Sequence, residues 1–188
     1  MDTSTFIRRY LGRAGELIAS LDQDRIAEAV AWLRRARDEE RTIFACGNGG
    51  SSAIAAQMVV DLVKCASLGK PRRFRMFCLS DSVPTLTAYA NDEGYEQVFV
   101  GPLTNLARPG DLLIAISGSG DSPNVLAAVD FARELGCPTL GLTSGLGGRL
   151  KDRVDLPLLV PSDHMGRLED CFFVITHILA YAFIEDAC

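Results

Sequence analysis

Five short β-prone apolar runs, alternating with stretches of helical periodicity, constrain this chain more than any other feature. The runs cover residues 42–46, 74–79, 112–116, 139–142 and 156–160. Such alternation is the pattern of βαβ units that feed a parallel sheet. Turn signals support the boundaries, with Arg108-Pro109-Gly110-Asp111 before the third run and Gly136-Cys137-Pro138 before the fourth. The expected fold is α/β, a three-layer αβα sandwich with a five-stranded parallel sheet. Ligands of such a sheet bind beyond the carboxyl ends of its strands.

Two helices precede the first strand. Phe6, Ile7, Tyr10, Leu11, Ala14, Leu17 and Ile18 recur at helical spacing, with Ser4 as the expected N-cap. Ile26, Ala27, Val30 and Leu33 mark the second helix, and Arg34, Arg35 and Arg37 lie near its end, where the helix dipole favours cations. A further helix is expected over residues 53–63, and the last over residues 168–184. No internal repeat, low-complexity segment or linker interrupts the pattern, so the 188 residues are expected to form one domain.

Composition narrows the function. Hydrophobic residues make up 48% and charged residues 23%, as in ordinary globular proteins. The net charge of −5 gives no general attraction to nucleic acid. One local exception, Lys70-Pro71-Arg72-Arg73-Phe74-Arg75, is read as a solvated loop or as a means of drawing in an anionic substrate. The six cysteines (46, 65, 78, 137, 171 and 188) are widely spaced without a C-x-x-C pair, which disfavours disulfides and a zinc ribbon. No basic-then-apolar leader opens the sequence, and no apolar run approaches the ~20 residues needed to cross a bilayer. The expected compartment is the cytoplasm, with no membrane contact.

Two glycine- and serine-rich loops carry the chemistry. Gly47-Asn48-Gly49-Gly50-Ser51-Ser52 follows the first strand and opens a helix. Glycines let backbone approach an anion closely, and a helix N-terminus offers unpaired N–H donors. The loop lacks the G-K-[ST] ending of a P-loop, and Ser52 stands where a dinucleotide fingerprint needs its third glycine. Ser117-Gly118-Ser119-Gly120-Asp121-Ser122 holds the equivalent place after the third strand, with Pro123 near the first helical position. Three serines exceed what a helix cap requires, and together they suit a phosphate monoester. Two such loops favour a small phosphorylated metabolite over an extended dinucleotide, so no nucleotide cofactor is expected. A dinucleotide at residues 47–52, with Asp81 as the ribose acid, is the minor alternative.

These residues, with Asn91-Asp92-Glu93-Gly94, Gly110-Asp111, Gly147-Gly148, Arg167 and His177, resemble the sugar isomerase (SIS) domain, and most closely its phosphoheptose isomerase branch. The resemblance covers nearly the whole chain. It implies a flavodoxin-like sandwich, a homotetramer packed partly through residues 1–40, and active sites between subunits. It also implies conversion of sedoheptulose 7-phosphate into D-glycero-D-manno-heptose 7-phosphate for surface polysaccharide. By the same resemblance Ser51, Ser117, Ser119 and Ser122 contact phosphate and sugar, with Gly49 and Gly118 in the same loops. Asn48 and Asp92 are further substrate contacts, and His177 is an acid/base and a zinc ligand.

The chain departs from the family pattern at several of these places. Asp61 stands where the family has its catalytic glutamate, Gln57 where it has a zinc-binding histidine, and Glu169 where it has a glutamine. Gly118 replaces a common threonine and Cys65 a common arginine. Isomerisation needs a base beside a carbonyl and a group that manages charge on the enediol oxygens, roles Asp61 and His177 can fill. Zinc or another divalent metal would draw on Asp61, His177, Glu169 and, weakly, Gln57. On one continuous helix Glu169 and His177 are about 12 Å and about 80° apart. A shared site therefore needs Glu169 outside that helix, or residues from two subunits. A non-catalytic phosphosugar sensor or partner-binding regulator is the alternative function.

Overall fold

The apolar runs join edge to edge because each offers residues of both parities to two hydrophobic layers. In the computed structural model, which describes residues 2–185, strands β1 (Thr42–Gly47), β2 (Arg75–Cys78), β3 (Leu112–Ser117), β4 (Thr139–Ser144) and β5 (Leu156–Val160) form one parallel sheet in the order β2-β1-β3-β4-β5. The helices are α1 (Thr3–Ala19), α2 (Gln23–Asp38), α3 (Gly50–Val59), α4 (Val83–Asp92), α5 (Val100–Leu106), α6 (Pro123–Glu134), α7 (Leu150–Arg153) and α8 (Met165–Ile184). A π-helical turn, Val60–Cys65, continues α3, and a 3₁₀ turn, Tyr95–Gln97, follows α4.

Alternation along each strand builds the two cores. Ile43 and Ala45 of β1, Ile114 and Ile116 of β3, and Leu140 and Leu142 of β4 face Leu33 of α2, Ile54 and Met58 of α3, and Phe172, Ile175 and Leu179 of α8. Phe44, Cys46, Leu113 and Ala115 point the other way, onto Leu103 of α5 and Val125 and Val129 of α6. Each fully buried branched or aromatic side chain contributes about 1.5–3 kcal/mol, so neither layer can be removed without losing the sheet. β1 and β3 are neighbours, with Gly47 beside Ile116. The order 2-1-3-4-5 reverses between them, and their following loops emerge together at that switch point.

The elements differ from the sequence expectations at their ends. Asp2, not Ser4, caps α1, since its Oδ1 accepts from the Thr5 N–H at 3.0 Å. Ser4 lies inside the first turn, where its hydroxyl accepts from Arg8 Nη1 at 3.1 Å. The helix expected from residue 53 starts at Gly50, which brings the glycine loop into its first turn. It rewinds to π geometry at Val60, where the Ala66 N–H reaches the Asp61 carbonyl at 2.8 Å. The last helix starts at Met165, one turn earlier than expected, because the His164 Nδ1 accepts from the Arg167 N–H at 3.3 Å and caps it. Glu169 therefore lies within the helix, not before it. β1, β3 and β4 run one or two residues further at their carboxyl ends, and β2 is shorter than residues 74–79. Cys188 lies outside the described residues. No described helix is long and apolar enough to cross a membrane.

α1 buries none of its residues fully. Its Tyr10 hydroxyl donates to Asp170 Oδ2 on α8 at 2.6 Å, while Phe6, Ile7, Leu11 and Ile18 stay exposed.

Candidate functional site

The second glycine-serine loop forms a nest of hydroxyls at the start of α6. Ser117 ends β3 and is only 4% exposed. Its Oγ lies 3.1 Å from Ser122 Oγ and 3.4 Å from Ser119 Oγ. The Gly120 N–H donates to Ser117 Oγ at 3.1 Å, and the Asp121 N–H to Ser119 Oγ at 3.2 Å. Ser122 occupies the N-cap position of α6 but makes no side-chain cap bond; its hydroxyl turns to Ser117 instead. The three hydroxyls thus converge on one place at a helix N-terminus, where backbone donors and the helix dipole favour an anion. Backbone holds this loop from below. The Leu150 N–H donates to the Gly120 carbonyl at 2.9 Å. Gly148, at φ +81°, lies so close that a Cβ there would strike the Ser119 carbonyl oxygen and stand 2.6 Å from Gly120 Cα. Hydrogen bonds from Arg149 tie down Asp121 and hold its carboxyl below the usual carboxylate range.

Gly118 has a neighbour that explains the missing side chain. A Cβ at this position would stand 2.6 Å from Met165 Sδ and 3.1 Å from Leu168 Cδ2. The first turn of α8 fills the space a threonine would take.

The first loop is built differently. Gly49, at φ +53° and ψ −122°, takes a backbone shape open to glycine, and α3 begins at the next residue. Gly47 packs so tightly under Ser51 that a Cβ would stand 2.8 Å from the Ser51 backbone carbon. Ser51 is buried as a result. The Glu169 carboxylate lies on Gly50: a Cβ there would collide with Oε1 and stand 2.7 Å from Cδ. A negative group is favoured at the amino end of α3, and here the chain supplies its own. Asn48 bonds to the buried Asn124 of α6 and to the Tyr95 hydroxyl. Asp92 ends α4 and is exposed, its Oδ1 accepting from Asn91 Nδ2 at 2.7 Å.

Asp61 and His177 meet further along the packed helices, where the π turn that continues α3 lies against α8. Asp61 sits in the π turn at 6% exposure, and its Oδ1 accepts from Gln57 Nε2 at 3.1 Å. Its Oδ2 is buried without a hydrogen-bond partner among the described residues. His177 Nε2 lies 3.7 Å from that oxygen, beyond hydrogen-bond length but within electrostatic reach of an imidazolium. The imidazole is 48% exposed and stands between Phe173 and Tyr181, each with its ring centroid 6.1 Å away.

The expected residues therefore fall into two groups within one chain. Ser117, Gly118, Ser119 and Ser122 share one end with Asn48, Gly49, Ser51 and Glu169. Gln57, Asp61 and His177 share the other. Glu169 and His177 lie eight residues apart on the unbroken α8, about 12 Å along its axis. Among the described residues no group of three or more His, Cys, Asp or Glu side chains could hold a metal ion. Asp61 and His177 offer two ligands, Gln57 gives its amide nitrogen to Asp61, and Glu169 is remote. The set does not fit a metal within one chain. Sequence reading missed Asn124, Tyr95 and the cap His164. Asn124 was detectable as an amide on the apolar stripe of Val125, Ala128, Val129 and Ala132, all buried on α6.

A hydroxyl-lined anion loop at the switch point of a 2-1-3-4-5 sheet, with a carboxylate and an imidazole paired at the far end of the helices that start beside it, suits a phosphosugar-binding α/β protein. The SIS domain profile matches residues 9–144, and the chain belongs to that family. The phosphoheptose isomerase of a Nitratiruptor species is 43% identical over 141 residues, covering 74% of each chain. That of Helicobacter pylori (strain P12) is 36% identical over 174 residues, covering 92% of this chain and 90% of the relative. A solved phosphoheptose isomerase from Francisella tularensis matches with a TM-score of 0.89 at 29% identity, covering 99% of this chain and all of that one. The chain falls in the phosphoheptose isomerase branch of the SIS family.

Proposed function

We propose that this protein is an isomerase that interconverts sedoheptulose 7-phosphate and D-glycero-D-manno-heptose 7-phosphate. The observation that carries the chemistry is the buried Asp61 carboxylate, whose Oδ2 has no hydrogen-bond partner among the described residues and lies 3.7 Å from His177 Nε2.

The phosphate monoester binds the hydroxyls of Ser117, Ser119 and Ser122 at the N-terminus of α6. Phosphate at this end fixes the register of the sugar chain. The Asp61 carboxylate, brought to the sugar in the assembled site, takes the proton from the carbon beside the carbonyl, giving an enediol; after exchange with solvent on the carboxyl, a proton returns to the neighbouring carbon. His177 moves the second proton between the two oxygens, so no net proton is gained or lost. Asp61 is one methylene shorter than the glutamate it replaces, and the π turn sets its backbone position.

The site is completed by a second subunit in this proposal. Within one chain the phosphate loop and the Asp61–His177 pair lie toward opposite ends of the packed helices α3 and α8, while apolar Val60, Val63, Ile178 and Tyr181 stand exposed around the pair. Their cover, and that of Phe6, Ile7 and Leu11 on α1, is a neighbouring copy in a homo-oligomer, expected to be a tetramer packed through residues 1–40. Zinc or another divalent metal would need ligands from that neighbour besides Asp61 and His177. Residues 1–188 act as one SIS domain in the cytoplasm, feeding heptose into surface polysaccharide.

Incubating the purified protein with sedoheptulose 7-phosphate and following the anomeric proton by NMR tests this directly. A new aldose signal is expected. Its absence, with and without added zinc, overturns the proposal.

A further inference from the structure

Asn48 and Asn124 face each other across the two ligand loops, 76 residues apart in sequence. Asn48 Nδ2 donates to Asn124 Oδ1 at 2.9 Å, and Asn124 Nδ2 donates to Asn48 Oδ1 at 2.9 Å. Asn124 is 1% exposed and sits two residues past the N-cap Ser122, on the first turn of α6. The Tyr95 hydroxyl donates to Asn48 Oδ1 at 3.0 Å.

The backbone decides which way both amides point. The Val125 N–H is a fixed donor and reaches Asn124 Oδ1 at 3.0 Å. An amide turned the other way would set two donors against each other. With the Asn124 oxygen fixed, its nitrogen must face an acceptor, so the Asn48 oxygen turns inward. Both lone pairs of Asn48 Oδ1 are then taken, one by Asn124 Nδ2 and one by Tyr95. What Asn48 has left is one N–H, with no partner among the described residues, at the carboxyl end of β1.

We propose that Asn124 is a positioning residue that locks Asn48 as a hydrogen-bond donor to an oxygen of the bound sugar. The clasp makes the phosphate loop and the sugar loop one rigid unit. A ligand with a hydroxyl or carbonyl oxygen at that place is accepted, because Asn48 has no acceptor left to offer. This deepens the proposed isomerase reading and rests on it only for the identity of the sugar.

Asn124→Asp tests the lock. The carboxylate keeps the shape and still accepts from the Val125 N–H, so a merely structural cap survives. It cannot donate to Asn48 Oδ1, which frees the Asn48 amide to rotate. We expect kcat/KM for sedoheptulose 7-phosphate, taken per folded molecule, to fall about 10- to 100-fold, as loss of one hydrogen bond to a positioned group implies, while the buried carboxylate facing the Asn48 oxygen also lowers the melting temperature. In an Asn48→Ala background the same change should cost less than about twofold, since it acts through Asn48. A loss of similar size in both backgrounds, or an Asn124→Asp enzyme within about twofold of wild type, overturns the inference. The Asn48 side-chain amide protons, followed by NMR, give a second readout that does not require turnover. Sedoheptulose 7-phosphate should shift the unpaired proton, and inorganic phosphate alone should not. A shift without turnover leaves the inference standing and removes the isomerase reading. Turnover without a shift removes the inference, and absence of both removes both.

Discussion

Replacing Gly148 by alanine should displace the phosphate loop from a position outside it. Gly148 has φ +81°, and its Cβ would strike the Ser119 carbonyl oxygen and stand 2.6 Å from Gly120 Cα. Carbon–carbon contacts settle near 3.5–4.0 Å, so the loop must move by about 1 Å. Both partners are backbone, so no side chain can swing aside. A misplacement of about 1 Å can cost about 10²-fold in rate, which is the expected fall in kcat/KM for sedoheptulose 7-phosphate. The left-handed backbone conformation adds roughly 1–2 kcal/mol of strain. Gly136 isolates that part: it also has φ +81°, but a Cβ there meets nothing within 4 Å. Gly136→Ala should lower the melting temperature by a few degrees, at about 2–4 °C per kcal/mol, and leave activity per folded molecule intact. Gly148→Ala should lower both. Phosphate affinity by calorimetry, steady-state rates and thermal melts separate the two effects. If Gly148→Ala matches Gly136→Ala in every readout, the loop is not held in place by this backbone contact.

Two further perturbations reach other parts of the fold. Ser117→Ala removes the hydroxyl that joins Ser119 and Ser122; at about 1.5–3 kcal/mol for a hydrogen bond to a charged group, calorimetry should show phosphate bound about 10- to 100-fold more weakly. Burial pushes the Cys78 thiol from its ordinary 9.0 up to about 11, and burial raises Cys46 further still. Unfolded thiols ionise above pH about 9 while these remain protonated, so folding stability should fall as pH rises from there toward 11, and Cys46→Ala with Cys78→Ala should flatten that slope in denaturant titrations. The same burial predicts that a thiol reagent, mapped by peptide, modifies the half-buried Cys65 before Cys46.

The sheet was legible because its strands are buried on both faces and read as continuous apolar runs between turn signals. The stretch between β2 and β3 was not: α4 buries none of its residues fully, so its sequence carries little periodicity. The π turn was hidden for the opposite reason, since Val60, Leu62 and Val63 continue an apolar run whichever way the backbone winds. The serine loop announced itself through residue type alone. Asp61 and His177 came from family resemblance, and only the structure showed that they face each other while Glu169 turns to Gly50. Asn124 was overlooked because Ser122-Pro123-Asn124 reads as an ordinary helix start, although an amide on a buried stripe needs a partner.

Deuterium incorporation during turnover of sedoheptulose 7-phosphate in D₂O measures the role of Asp61 most directly. A carboxylate that takes a carbon-bound proton through an enediol should leave deuterium at the carbon beside the carbonyl. Asp61→Asn should still bind phosphate and incorporate none. Undiminished incorporation by Asp61→Asn, or wild-type turnover that leaves every carbon-bound hydrogen in place, would contradict the assignment of Asp61 as the base.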